Sequence, residues 1–221
     1  MDIIETIVRF FQDGGSFMFP IAIVLAIGLS ITLERYLYLG SAKRTNRRAF
    51  EQIEPLLAQQ KFDEIVQLTK QSTAPISRVI GAGIARITAS HRREDIETAM
   101  EEGLMETVPR LEKRTPYLGT LANIATLLGL LGTIIGLIAA FSAVANADPS
   151  EKASLLSQSI SVAMNTTAFG LISAIPLLAF HSLLQTKTTE IVDSMEMAGV
   201  KCLNTLIARQ NLSPRTRQND Q

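Results

Sequence analysis

Two uncharged runs, Thr115 to Ala147 and Ala153 to Thr186, constrain this chain more than any other feature. Each holds about 33 residues, or roughly 50 Å as a helix, against a bilayer hydrocarbon core of about 30 Å. Both are long enough to cross a membrane and to project beyond it or tilt strongly. A shorter run, FMFPIAIVLAIGLSITL from Phe17 to Leu33, is followed by Glu34, Arg35 and then YLYL. Together these reach the roughly 20 residues that a span needs. Tyr36 and Tyr38 suit an interfacial aromatic belt. The link NADPSEK, Asn146 to Lys152, has turn chemistry and is short, so the second and third spans form an antiparallel hairpin.

Composition agrees. Apolar residues make up 47% of the chain but aromatic ones only 5%, with no Trp, so the excess lies in the aliphatic and small residues of close-packed membrane helices. Zero net charge gives no bulk attraction to nucleic acid. The single cysteine, Cys202, excludes an intrachain disulfide and a cysteine-rich metal site, and reads as an inert thiol. The N-terminus shows neither a basic region nor a small-residue cleavage site, so the first span is expected to be retained.

The charges are segregated. Lys43, Arg44, Arg47 and Arg48 follow the first span, Arg110, Lys113 and Arg114 precede the second, and Lys187 follows the third. Only Arg9 and Lys152 stand on the opposite side. The positive-inside rule then places the N-terminus outside and the C-terminus in the cytoplasm. The expected architecture is all-α. It has a periplasmic amphipathic helix at 1–13, a span within 14–40 and a helical cytoplasmic domain at 41–114. A second span with its extension at 115–147, a turn at 148–152, a third span at 153–186 and a cytoplasmic tail at 187–221 complete it. In the cytoplasmic domain, 3.6-like spacing joins Ile76, Val79, Ile80, Gly83 and Ile87, and also Ile96, Met100, Leu104 and Leu111. Ser72, Thr73 and Pro75 mark a break. The Glu101, Glu102, Glu106 and Glu112 run reads as a solvated face or a docking surface.

No span has an acid or base at its centre. Glu34 and Arg35 lie near one end and can pair with each other. His181 near the end of the third span reads as an interfacial group or a proton relay. The spans do carry hydroxyls and amides: Asn123, Thr126 and Thr133 near one stripe, and Asn165, Thr166 and Thr167 with Ser159 and Ser173 a heptad away. Such groups either line an ion path or bond to their own helix carbonyls. Gly129, Gly132 and Gly136 form one small-residue face, and Ala163, Thr167, Gly170 and Ala174 another, which suits packing of several subunits around an axis. No nucleotide fingerprint, metal-ligand set or nucleophile–base pair is visible, so neither an enzyme nor a cofactor is expected.

GLLGTIIGL (Gly129 to Leu137) and NTTAFGLISAIP (Asn165 to Pro176) resemble the MotA/TolQ/ExbB proton-channel family. Three spans make the chain similar to the ExbB and TolQ branches. The resemblance implies a ring, a pentamer in known members, around a single-span ExbD/TolR-like partner that supplies a membrane Asp. It implies an ion path beside Thr133 and Thr167, with Asn165 and Thr166 adjoining. It also implies a bacterial inner-membrane motor that uses the proton or sodium gradient to energise a periplasmic or outer-membrane process through a TonB- or TolA-like protein. Two positions depart from the family pattern: Thr126 stands where many members have Pro, and Val162 where many have Glu. The Thr166–Thr167 doublet resembles sodium-driven members. A passive membrane scaffold is the competing reading, and a small-solute transporter fits less well because the spans are unbroken.

Overall fold

The computed structural model describes residues 10–11, 14–87, 92–145 and 147–210, and every structured element among them is helical. The helix expected over 1–13 lies outside the described residues except for Phe10 and Phe11, as do His91 and the end of the tail beyond 210. In chain order the helices are α1 (Met18–Ala58), α2 (Phe62–Gln71), α3 (Pro75–Ile87), α4 (Arg93–Glu112), α5 (Thr115–Ala145) and α6 (Lys152–Gln210). Three helical stretches, within Met18–Ala58, Arg93–Ala145 and Lys152–Ala208, are long and apolar enough to cross a membrane.

Two compact units emerge. The first comprises residues up to Arg35 with Arg114–Leu184; the second comprises Tyr36–Lys113 with residues from Gln185 onward. Helices α1 and α6 each supply a segment to both. The boundaries read from charge at 40 and 186 are not helix ends, because no breaker stands there and the backbone bonds of a helix continue in lipid or in water alike. The stretch taken as a tail from 187 is therefore helical through Gln210.

In the first unit, α1 begins after a turn in which Met18 N–H donates to Gly15 O at 3.3 Å. Gly15 has φ +71, a left-handed conformation in which a side chain would be strained. Helix α5 starts at Thr115 with Pro116 in its first turn, where a missing N–H costs nothing. The turn into α6 is closed by Glu151 N–H and Lys152 N–H, which donate to Asp148 O at 2.9 and 3.3 Å. Glu34 lies 3.7 Å from Arg35 and 3.3 Å from Arg114. The sequence offered only the neighbouring Arg35 as its partner, since nothing local points to Arg114.

The second unit is an ordinary apolar core. Ile53, Ile65, Ile80, Ile84, Ile96 and Met195 are buried from five different helices. Helix α3 is capped from outside itself: Asn46 Oδ1 on α1 accepts the Ile76 N–H at 3.0 Å, satisfying one of the orphan donors behind Pro75. Helices α3 and α4 approach closely at Gly103, where a Cβ would sit 3.1 Å from both Arg78 O and Val79 Cα. Lys43 and Glu190 pair at 2.8 Å, which holds the Glu190 carboxyl below its ordinary pKa through the hydrogen bond and the charge. Arg78 and Glu106 pair at the same distance.

Candidate functional site

The site is built by the α5–α6 hairpin of the first unit. The two helices run antiparallel, and their small residues meet in register. A Cβ on Gly170 would lie 2.8 Å from Ala125 O and 3.0 Å from Gly129 Cα; one on Gly129 would lie 3.2 Å from Gly170 Cα and 3.3 Å from Thr167 Cα. Farther along, Gly132 faces the methyl of Thr166, and Gly136 faces Ala163. Backbones this close gain dispersion contacts that no larger residue permits. The sequence suggested these faces for contacts between subunits. The structure uses them within one protomer, because the short link places both faces side by side.

Each hydroxyl has a definite place. Thr167 Oγ1 donates across the hairpin to Gly129 O at 2.8 Å, a bond that can form only because glycine leaves the carbonyl uncovered. Thr133, one turn beyond Gly129, donates to Leu130 O of its own helix at 2.6 Å and is half-buried. Thr126 likewise donates to Ala122 O at 3.1 Å. Thr166 is 2% exposed, and its Oγ1 lies 2.6 Å from Gly14 O and 2.9 Å from Val162 O. A hydroxyl has one proton to share between them. Thr166 thus ties the turn before α1 onto α6.

The three consecutive residues do not form one lining. Successive helix positions turn by roughly 100°, so Asn165, Thr166 and Thr167 point in three directions. Thr167 meets α5, Thr166 is enclosed, and half-buried Asn165 lies away from the α5 contact. The structure brings together Thr167, Gly129, Gly170 and the adjacent Thr133, and leaves Asn165 apart from them. Sequence reasoning underrated two residues. Ser173 is fully buried with an Oγ that has no hydrogen-bond partner among the described residues. Phe169 packs T-shaped against Phe10 and Phe11, with ring centroids 6.2 and 5.0 Å away. His181 stands against Gly119, whose Cβ would be 3.8 Å from its Nε2. No group of three or more potential metal ligands occurs among the described residues.

Residues 71–197, more than half of the chain, match the model of the MotA/TolQ/ExbB proton channel family, and the match takes in all of α5 and α6 as far as Met197. The chain belongs to this family. Within the MotA/TolQ/ExbB family it is similar to the biopolymer transport protein exbB1 of Vibrio cholerae, at 30% identity over 186 residues that cover 81% of this chain and 79% of the relative. It is also similar to an ExbB homolog of Methanothermobacter thermautotrophicus, at 28% identity over 198 residues, covering 87% and 67%. The Tol-Pal system protein TolQ of Haemophilus influenzae matches over a shorter stretch of 93 residues at 31% identity, 42% of this chain and 40% of that one. These are transport and channel proteins, not an enzyme family, and ExbB/TolQ likeness joins three apolar helices in describing a multi-pass membrane protein.

Proposed function

We propose that this chain is the ring-forming channel and stator subunit of an inner-membrane motor driven by the proton or sodium gradient. Its partner is a single-span protein of the ExbD/TolR kind that brings a carboxylate into the membrane. The motor's work reaches a TonB- or TolA-like protein and energises a periplasmic or outer-membrane process. The N-terminus and the 148–152 turn face the periplasm, and 41–114 and the segment after 186 face the cytoplasm, as the distribution of Lys and Arg favours. Several copies, five by family analogy, surround the partner helix.

One observation carries this reading. The hairpin holds its hydroxyls at a glycine-opened seam, Thr167 against Gly129 with Thr133 one turn on, in spans that lack any carboxylate of their own. A hydroxyl already donating to a backbone carbonyl still has free lone pairs, so Thr167 and Thr133 can accept a hydrogen bond or coordinate a small cation. The titrating acid must come from a partner. Asn165, on another side of α6, serves the same path from the flank, and enclosed Thr166 keeps the seam in shape.

The scaffold reading has an observation of its own: Thr133 and Thr126 donate to their own helices, as purely structural threonines do. The two readings separate in cells that contain the partner. Thr167→Val at normal abundance is expected to lower the energised output about tenfold, a loss of ~1.4 kcal/mol along the path. A protonophore, or sodium removal, should abolish the wild-type output. Output that survives loss of both gradients identifies a scaffold.

A further inference from the structure

We infer that the face of α1 around Gly40 is a binding site for the headgroup of an anionic phospholipid. The inference rests on reading α1 as a membrane span that ends near Tyr36. Four cations follow that point in quick succession, and the structure divides them into two kinds. Lys43 pairs with Glu190 at 2.8 Å and Arg47 with Glu51 at 2.8 Å. Arg44 and Arg48, one turn apart on another side of the helix, are exposed and have no carboxylate partner among the described residues. Generic positive-inside charge predicts no such division. Two guanidiniums at i and i+4 with no carboxylate beside them can hold an anion between them.

The same face carries an opening and an apolar end. A Cβ on Gly40 would meet nothing within 4 Å, so this glycine serves no internal packing. It floors a groove of about 340 Å³ bounded by Tyr36 and Leu37 on one side and Ser41, Arg44 and Arg48 on the other. Tyr36 and Leu37 are 56% and 62% exposed, and Leu37 stands one helical turn after exposed Leu33, past Glu34 and Arg35. Lys187 Nζ sits 3.6 Å from the centre of the Tyr36 ring and steadies that ring, its charge shared with the field of nearby Glu190. A ligand that fills this groove needs an oxyanion at the arginine end and hydrocarbon at the tyrosine end. Inorganic phosphate would leave the apolar end bare. A bilayer lipid with a net negative headgroup satisfies both ends and is supplied by the membrane that surrounds the helix.

The test uses the purified full chain in neutral detergent, with bound lipid counted by native mass spectrometry. Phosphatidylglycerol is expected to bind about thirtyfold more tightly than phosphatidylcholine, the preference anticipated for two arginines at an anionic headgroup. Arg44→Gln with Arg48→Gln should erase the preference, while Lys43→Gln with Arg47→Gln should keep most of it. Gly40→Leu keeps every charge, raises helix propensity and fills the groove, so it should weaken phosphatidylglycerol binding about fivefold with unchanged helicity. An intact preference in the Arg44/Arg48 variant overturns the proposal. Equal competition by millimolar inorganic phosphate overturns it too, as does a change of oligomer mass in that variant without a change in bound lipid. The readout needs neither an ion gradient nor a partner, so it stands or falls separately from the motor reading.

Discussion

Beyond Leu118, α5 buries only small residues, Ala122, Ala125, Gly129, Gly132 and Ala140, whereas the other unit buries Ile53, Ile65, Ile80, Ile84 and Ile96. Many large apolar residues of the hairpin unit point outward: Phe19, Leu127, Ile138, Phe141 and Ile175 are all more than 60% exposed, while Met18, Ile21, Leu118, Leu177 and Leu184 are buried. A water-surrounded unit gains by removing large aliphatic side chains from solvent. A lipid-surrounded unit gains nothing by that transfer, since hydrocarbon is outside already. It gains by bringing backbones together and by placing hydroxyls on exposed carbonyls. The difference teaches which property each unit is sensitive to, volume lost in one and volume added in the other.

Alanine breaks the two units from opposite directions. Ile80→Ala empties a fully buried site in the second unit and should cost about 2–5 kcal/mol, read as a lower unfolding midpoint of the detergent-solubilised chain. Gly170→Ala adds one carbon 2.8 Å from a backbone carbonyl and 3.0 Å from a facing Cα, where neither neighbour is a flexible side-chain end. It should cost about 1–3 kcal/mol by forcing the hairpin apart. The same change at Gly199 in the second unit tests the contrast. Its Cβ would lie 3.8 Å from Val79 Cγ1 and 3.9 Å from Met100 Sδ, an ordinary contact. Gly199→Ala should therefore stabilise by about 0.5–1 kcal/mol through helix propensity alone. A destabilising Gly199→Ala or a neutral Gly170→Ala would erase the distinction between the units.

Much of this was readable in advance, and the reasons differ by feature. Uncharged length gave the spans, since a bilayer imposes a minimum, and the short NADPSEK link gave the hairpin. Gly129 and Gly170 stood out because small residues at helical spacing have no use other than close approach. What sequence could not supply was direction. It grouped Asn165, Thr166 and Thr167 as one feature, though adjacent helix positions diverge by roughly 100°. It placed boundaries at 40 and 186 because charge records where lipid ends, while helices α1 and α6 continue until Ala58 and Gln210. The Arg114–Glu34 pair and the Asn46 cap on α3 join residues remote in the chain and carry no local signal.

Hydroxyl deletion sharpens the comparison inside the hairpin. Thr167→Val removes the inter-helix bond to Gly129 O and should cost about 1 kcal/mol, while Thr133→Val removes only a bond to its own helix and should change the midpoint by less than about 0.5 kcal/mol. If both threonines line the ion path, their effects on energised output should nevertheless be similar. A pair of variants with unequal stability and matching loss of output would separate the packing role of Thr167 from the role it shares with Thr133.

At neutral pH the least consequence for stability belongs to the ionisation of Cys202, in the second unit and fully buried. Desolvation there pushes the thiol up to about 12, since a thiolate would have no water to stabilise it. At pH 8 the folded chain should react with iodoacetamide more than about a thousandfold more slowly than the unfolded chain, whose thiol titrates near 8.5. The sign of the linked stability follows. Below about pH 8.5 both states hold the proton and Cys202 contributes its full share. As pH rises from there toward 12 the unfolded state alone releases its proton, so stability falls across that window. Cys202→Ala should remove that alkaline slope at the price of a small cavity, whereas Ala125→Cys at the glycine seam should fail to fit at any pH. The buried thiol sits among side chains, whereas at Gly129 and Gly170 the hairpin brings backbone against backbone and leaves no room for one.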